Sequence, residues 1–282
     1  MSGCPYDARD ARRCVRDDSV SGFEDPRAVL RRYGLRPRRA LSQCLLVRPS
    51  VHAAIARAVG AGPGVRVCEI GAGVGTLTGV LLATGARVVA VEKDPAMVAL
   101  LEREWVPRAG GALRVLQADA TRLDLTALGA EPPGGPLRLA GNLPYHVTGL
   151  LLRRLCEHVG ALERAVVMVQ REVRDRLLAA PGQPTWGALG VFVSACFRVS
   201  HVATVPPQAF HPRPRVHSAI VRLDPRPQPL LPQTASCAQL VRALFAARRK
   251  TLHNALRPLC GPSAERVLAA AGLDPDRRGE TL

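Results

Sequence analysis

The sequence predicts an α/β fold, a doubly wound sheet followed by a small C-terminal helical subdomain. Three observations predict it. Between residues 65 and 223, β-rich apolar runs alternate with helical stretches of roughly 8–12 residues. The strand runs are almost continuously apolar, as strands covered by helices on both faces are. After a proline-rich stretch at 224–235 (DPRPQPLLPQTA), Leu240, Val241, Leu244, Phe245, Leu252 and Leu256 return at near-helical spacing.

Taken in order, residues 1–25 are polar, mix Arg with Asp and show no period, so a flexible N-terminal extension is expected. Asp25-Pro26 supplies a cap and a first-turn proline for a short helix over 26–33. A basic segment from Arg31 to Arg39 leads into ALSQCLL, and Val51 to Val59 reads as an amphipathic helix that the Gly60–Gly64 segment ends. Val65–Ile70 is the first strand, and it runs into a Gly-rich turn and a helix from Gly75 to Leu82. Arg87–Val91 is the second, closing at Glu92 before a helix from Pro95 to Trp105. Leu113–Gln117 is the third, closing at Asp119. Leu137–Ala140 is the fourth; it enters Gly141-Asn142-Leu143-Pro144-Tyr145 and a helix over 147–158. Ala165–Gln170 precedes a helix over 171–179, residues 190–204 read as another long strand, and Ser218–Leu223 as the last. The expected division is a sheet domain over 26–225 and a helical subdomain over 226–282.

Composition narrows the function. Of 282 residues, 47% are apolar and 22% charged, which is globular and leaves room for a sizeable core. Thirty-nine basic against 23 acidic residues give a net charge of +16. A small acidic metabolite does not need that surplus; a polyanion such as RNA or DNA, or an anionic membrane surface, fits it better. Aromatics at 4% argue against an aromatic-rich platform for single strands. No apolar run approaches the ~18 residues of a membrane span, and the charged N-terminus lacks the apolar core of a secretory signal. A cytoplasmic protein with reduced thiols, and no membrane contact, is expected. The eight cysteines form no C-x-x-C pair and none stands near a His at metal spacing, so no metal is expected. Arginine supplies 37 of the basic residues, the lysines being Lys93 and Lys250 alone, which reads as codon bias rather than as a nucleic-acid signal. The distribution says more: residues 206–282 carry a net +7, against +5 over 41–205 and +4 over 1–40.

Two constellations carry chemistry. Glu69-Ile70-Gly71-Ala72-Gly73-Val74-Gly75 follows a strand and opens a helix, where open α/β sheets bind ligands. The next strand ends at Glu92, whose carboxylate can accept from both ribose hydroxyls of an adenine nucleoside, and Asp119 can accept from its adenine amine. A dinucleotide and S-adenosylmethionine both present such a nucleoside. The third glycine stands one place early for the dinucleotide fingerprint, and Glu69 would repel a pyrophosphate, whereas a methionine ammonium tolerates an acid there. The methyl donor is favoured; a Gly turn and acids with no ligand is the bland reading.

The second constellation, Asn142-Leu143-Pro144-Tyr145, ends the fourth strand at the same sheet edge. The Asn142 side-chain oxygen and the Leu143 carbonyl can both accept from a planar NH2, Pro144 stiffens the backbone, and Tyr145 offers a flat face to a base. Such an amine, adenine N6 for example, is a poor nucleophile because its lone pair is delocalised. Two acceptors on its hydrogens draw the nitrogen towards sp3, so alignment and desolvation can replace a strong base. Phe210, in the loop Phe210-His211-Pro212-Arg213-Pro214, can stack on the other face of a base taken out of its stack. Read alone, Phe210 is a loop anchor and Asn142–Tyr145 a capped turn.

With LRPRRALSQCLL, VCEIGAGVGTLT, VVAVEKDP, QADA, GNLPYHVTGLLL, VVMVQREVRDRLLAAPGQPTWGALGVFV, VPPQAFHPRPRVHSAIVRL and FAARRKTLHNAL in this order, the chain resembles the ribosomal RNA adenine N6-dimethyltransferases from about Asp25 to its end. More narrowly it is similar to those that dimethylate two adjacent adenosines near the 3′ end of small-subunit RNA. The resemblance implies a Rossmann-like class I fold and S-adenosylmethionine as cofactor. It places Cys44, Leu46, Gly71, Gly73, Glu92, Asp119 and Asn142 around the donor, and Asn142, Leu143, Pro144, Tyr145 and Phe210 at the target base. It puts Arg248, Arg249 and Lys250 on the RNA, and implies an immature small ribosomal subunit as partner; nothing in the sequence demands an oligomer, so a monomer is expected. Three departures stand out. The family's G-Q-N-F-L is Ser42-Gln43-Cys44-Leu45-Leu46 here, Gly149 stands where Ser is common, and the chain stops at Leu282 where relatives often continue. The missing Asn removes a hydrogen bond of about 0.5–1.5 kcal/mol near the cofactor, so weaker binding is expected rather than none. The alternatives are the sister enzymes on large-subunit RNA, which confer macrolide-type resistance, and a non-catalytic RNA-binding assembly factor.

Overall fold

The computed structural model describes residues 20–38, 43–130, 135–246, 248 and 250–281. In chain order the strands are β1 (Leu45–Leu46), β2 (Arg66–Ile70), β3 (Arg87–Glu92), β4 (Leu113–Gln117), β5 (Leu137–Asn142), β6 (Leu162–Gln170), β7 (Phe197–Val205), β8 (Phe210–His211) and β9 (Ser218–Pro225). The helices of the sheet domain are α1 (Pro26–Arg32), α2 (Pro49–Val59), α3 (Thr76–Ala83), α4 (Pro95–Glu104), α5 (Leu125–Ala130), α6 (Thr148–Glu157), α7 (Arg171–Leu178) and α8 (Ala188–Cys196). Those of the tail are α9 (Ala235–Ala246), α10 (Leu252–Cys260) and α11 (Ala264–Ala270).

Seven strands form one sheet in the order β4-β3-β2-β5-β6-β9-β7. The chain starts at β2, winds outward to β4, then returns across β2 to β5. The carboxyl ends of β2 and β5 therefore meet where the winding reverses, the place an open sheet leaves a crevice. β9 runs antiparallel to β6 with Gln170 opposite Ser218, and β7 runs antiparallel to β9 with Val205 opposite Ser218. An antiparallel strand begins where its parallel neighbour ends, so Ser218 sits at the same edge as the crevice. Both faces of the sheet are covered. One core cluster joins α2 and α3 to the sheet through Ile55, Val59, Leu81 and Met168, and another joins α6 and α8 through Leu152, Leu155, Val193 and Cys196.

Most expected elements appear within a residue or two of their expected bounds, and one is overturned. Residues 190–204 are not a single strand: α8 runs to Cys196 and β7 starts at Phe197. The run GVFVSACF has β-rich composition, but α8 packs against α6, α7 and α9, so it is apolar on several sides and carries no polar face to reveal a helical period. β1, β8 and α5 were not expected from the sequence. Residues 1–19 of the expected flexible extension lie outside the described residues, whereas Val20 and Phe23 pack against the main core. Close approach is required there: a Cβ on Gly79 would lie 2.3 Å from the Gly22 carbonyl oxygen and 2.2 Å from the Trp105 ring.

The tail helices enclose their own small core of Leu252, Leu256, Ala264 and Leu268. They dock on the sheet domain through the loop before α8. Trp186 meets Phe245 edge-on at 6.4 Å, the Arg248 guanidinium donates to the Pro184 carbonyl at 3.0 Å, and Gly182 N–H donates to the Glu280 carbonyl at 2.8 Å. Among the described residues no helix is long and apolar enough to cross a membrane.

Candidate active site

A cleft of about 190 Å³ opens at the switch point. Gln43, Cys44 and Leu45 form one side, Gly71 and Gly73 its floor, Glu92, Lys93 and Asp119 the next strand ends, and Asn142 to Val147 with Leu150 the far wall. Three short loops at the carboxyl ends of β2, β3 and β5, with the turn after β4, thus deliver the acids, Lys93 and Asn142, and the segment before β1 adds Gln43 and Cys44. Gly71 and Gly73 have φ of +72° and +55°, a conformation that L side chains rarely adopt, and this lets bare backbone face the cleft.

Glu92 is 8% exposed and its carboxylate is held by three backbone donors. Gly73 N–H donates to Oε2 at 2.8 Å; Lys93 and Asp94 N–H donate to Oε1 at 2.7 and 2.9 Å. A carboxylate has about four acceptor positions, so capacity for a ligand hydroxyl remains. Asp119 accepts on Oδ1 from Thr121 N–H at 3.0 Å and Thr121 hydroxyl at 2.7 Å, and on Oδ2 from Lys93 Nζ at 2.9 Å. The Lys93 bond, then the Thr121 bonds, hold its carboxyl down at about 2. Both acids are therefore oriented acceptors.

Asn142 Nδ2 donates to the Cys44 carbonyl at 2.8 Å. That bond commits the amide nitrogen and leaves Oδ1 as the acceptor. Leu143 N–H donates to Met168 O at 3.2 Å, and Thr148 hydroxyl donates to Pro144 O at 3.0 Å, so the turn is pinned on both sides. Tyr145 is half-buried, with its hydroxyl 2.8 Å from that of Ser218. The N-terminal segment is tied at three points. Gln43 Nε2 donates to Asp94 Oδ2 at 3.1 Å, Cys44 takes the Asn142 bond, and His52 Nε2 donates to the Leu46 carbonyl at 3.0 Å.

The cleft thus brings together Cys44, Gly71, Gly73, Glu92, Asp119, Asn142, Leu143, Pro144 and Tyr145. Two expected site residues stand elsewhere. Leu46 and Phe210 are 5% and 4% exposed and face each other across the β1–β8 ladder; neither lines this cleft, but Leu46 lines a smaller cavity with Gly71 and Asn142. Side chains alternate along a strand, so Leu45, not Leu46, lines the cleft, its Cδ2 3.1 Å from where a Cβ on Gly73 would lie. Glu69, expected near a donor ammonium, is 2% exposed and accepts from Thr78 hydroxyl at 2.5 Å; burial above all pushes its carboxyl up to about 8. Gln43, Lys93, Leu150 and Ser218 were missed. Lys93 had one signal, a lysine retained in a chain whose one other lysine is Lys250.

A model of the family described as ribosomal RNA adenine dimethylase matches residues 34–278. The chain belongs to the ribosomal RNA adenine dimethylase family. This dimethylase is 43% identical over 92% of its length to "Ribosomal RNA small subunit methyltransferase A" of Anaeromyxobacter dehalogenans, covering 94% of that protein. It is 40% identical to the protein of the same name from Myxococcus xanthus, with 92% of each chain covered. Among solved structures, a dimethyladenosine transferase from Plasmodium falciparum shares the fold at TM-score 0.70 and 24% identity, covering 84% of this chain and 92% of that one. The 23S rRNA methyltransferase ErmE superposes at TM-score 0.59 with 26% identity, over 84% and 96% of the two chains.

The basic tail of the dimethylase differs from expectation at Arg248. Its guanidinium is bound to Glu280 at 3.0 Å and to Pro184 O at 3.0 Å, so it pins the tail rather than standing ready for a phosphate. Lys250 is exposed, and Arg249 lies outside the described residues. Among the described residues no group of three His, Cys, Asp or Glu side chains could hold a metal ion.

Proposed function

We propose that this dimethylase converts two adjacent adenosines near the 3′ end of small-subunit ribosomal RNA to their N6,N6-dimethyl forms, with S-adenosylmethionine as donor. The observation that carries the reading is the meeting, in one cleft, of nucleoside acceptors (Glu92, Asp119) with amine acceptors (Asn142, Leu143) and a flat ring (Tyr145). The residues fit the donor: Gly71 and Gly73 offer backbone without side chains, Glu92 keeps acceptor capacity for a ribose hydroxyl, Asp119 is an ionised acceptor for an adenine amine, and Cys44 closes the side. When bound, the donor supplies an electrophilic methyl on a sulfonium whose sulfur leaves as a neutral thioether.

The chain's own groups do the rest. Asn142 Oδ1 and the Leu143 carbonyl hold the two amine hydrogens and draw the nitrogen towards sp3. Pro144, which has no N–H, presents no competing donor. Tyr145 holds the plane of the base, and the amine proton leaves to solvent after transfer. Alignment in a water-poor cleft carries most of the rate. Phe210 has no place in this step while it stays in the β1–β8 ladder. We further assign residues 226–282, with Lys250 and Arg249, to grip on the RNA, the chain acting as a monomer on immature subunits in the cytoplasm. The small-subunit target is supported by 40–43% identity to relatives named for that subunit, against 26% to ErmE.

The test is transfer of labelled methyl to immature small subunits and, separately, to large-subunit RNA. Two methyls per adenosine on small-subunit RNA are expected. Transfer to large-subunit RNA alone, or donor binding with transfer to neither, would contradict the reading.

A further inference from the structure

Ser218 has no part in the reading above, yet it touches the site directly. It is 0% exposed, the first residue of β9, held between Gln170 of β6 and Val205 of β7. Its neighbours along the strand, Ala219, Ile220 and Val221, are equally buried and apolar. A hydroxyl in such a place needs a partner, and it has one: the Tyr145 hydroxyl at 2.8 Å. The topology explains the meeting, since β9 starts at the edge where β5 ends and the Asn142–Tyr145 turn begins. Tyr145 is the turn's flat face, and a ring tied at both its Cβ and its hydroxyl cannot swing.

Dimethylation makes that restraint matter unequally. In each round the amine nitrogen gains the methyl carbon and gives up one proton to solvent, the sulfur keeping the electron pair of the broken S–C bond. In the first round the nitrogen has two hydrogens, one for Asn142 Oδ1 and one for the Leu143 carbonyl. In the second it has one, so one of those two grips is gone and the bulkier amine must be turned to face a fresh methyl. The plane of the base then rests more heavily on the aromatic ring.

We propose that Ser218 is the positioning residue that fixes where the ring of Tyr145 stands against the base, and that this hydrogen bond decides whether modification runs through to the second methyl. The inference rests on the dimethyltransferase reading of the same cleft.

The experiment follows product composition on immature small subunits with the full chain, by mass spectrometry of the digested RNA, for wild type, Ser218→Ala, Tyr145→Phe and the double variant. Compared at equal total methyl incorporated, the ratio of monomethyl to dimethyl adenosine does not depend on how much enzyme is folded, so a merely structural role leaves it unmoved. Ser218→Ala should leave the first transfer within about threefold and slow the second by about tenfold or more, so that monomethyladenosine accumulates. Tyr145→Phe removes the same bond from the less buried side and should give the same ratio, and the double variant should be no worse than either single one. Unchanged dimethyl product in both single variants overturns the inference while the dimethyltransferase reading stands. Additive effects in the double variant overturn it too. A wild-type chain that transfers no methyl overturns both.

Discussion

Glu69 and His52 show how differently two buried ionisable groups can be handled. Burial pushes the Glu69 carboxyl up to about 8 and the His52 imidazole down to about 4, so both are neutral in the folded protein near pH 7. Their linkage has opposite signs. Between about 4.5 and 8 the folded state holds a proton on Glu69 that the unfolded chain has lost, so stability falls as pH rises through that window. Between about 4 and 6.5 the unfolded chain protonates His52 and the folded state does not, so stability rises with pH there. The two nearly cancel from 4.5 to 6.5, and only the Glu69 effect remains from 6.5 to 8. Urea titrations across that range should show wild type losing stability, by at most about 1.4 kcal/mol per pH unit from this group. Glu69→Gln should remove most of that slope; an unchanged slope would mean Glu69 is ionised in the folded protein. The acid itself was legible in the sequence, and so were Glu92, Asp119 and the Asn142–Tyr145 turn, because each ends a strand. Its burial on Thr78 was not, since that contact comes from α3 packing over β2 and leaves no trace in local pattern.

At the scale of elements, legibility followed how one-sided each element is. β2 to β5 were readable because Gly, Pro or an acid punctuates their ends, whereas β6 starts three residues before its expected bound and runs from Gln170 straight into α7. α8 was not, because it is covered on several sides and its β-rich run imitates a strand. β1 and β8 are two residues each, too short for a period, and their pairing decides that Leu45 faces the cleft while Leu46 and Phe210 face the core. The tail presents the same contrast between sequence and packing. Arg248 and Lys250 are equally basic in sequence, but one is tied to Glu280 and Pro184 and the other is exposed. The two therefore predict different failures. Arg248→Ala should raise amide exchange across α9–α11 and at the 180–187 loop, with little change in the salt dependence of RNA affinity. Lys250→Ala should leave exchange alone and flatten the salt slope by about one unit. Equal salt slopes for both variants would return Arg248 to the RNA interface.

At the scale of the whole molecule, one topological fact organises the chemistry. Winding outward from β2 and returning to β5 places four strand ends, and the start of antiparallel β9, along a single edge. The N-terminal segment closes that edge from the side, through the bond from Asn142 to Cys44. Net charge of +16, weighted towards the tail, supplies a general attraction for a polyanion. The fold class was readable because the alternation of elements spans the chain, whereas docking of the tail depends on contacts between residues as distant as Pro184, Arg248 and Glu280. The central claim is that Asn142 holds the target amine against the methyl donor at the carboxyl edge of the sheet. The measurement that tests it most directly is single-turnover transfer by Asn142→Ala to immature small subunits, with RNA affinity measured on the same preparation. Transfer should fall by at least about a hundredfold while RNA affinity stays within a few-fold of wild type. Transfer at the wild-type rate would contradict the account.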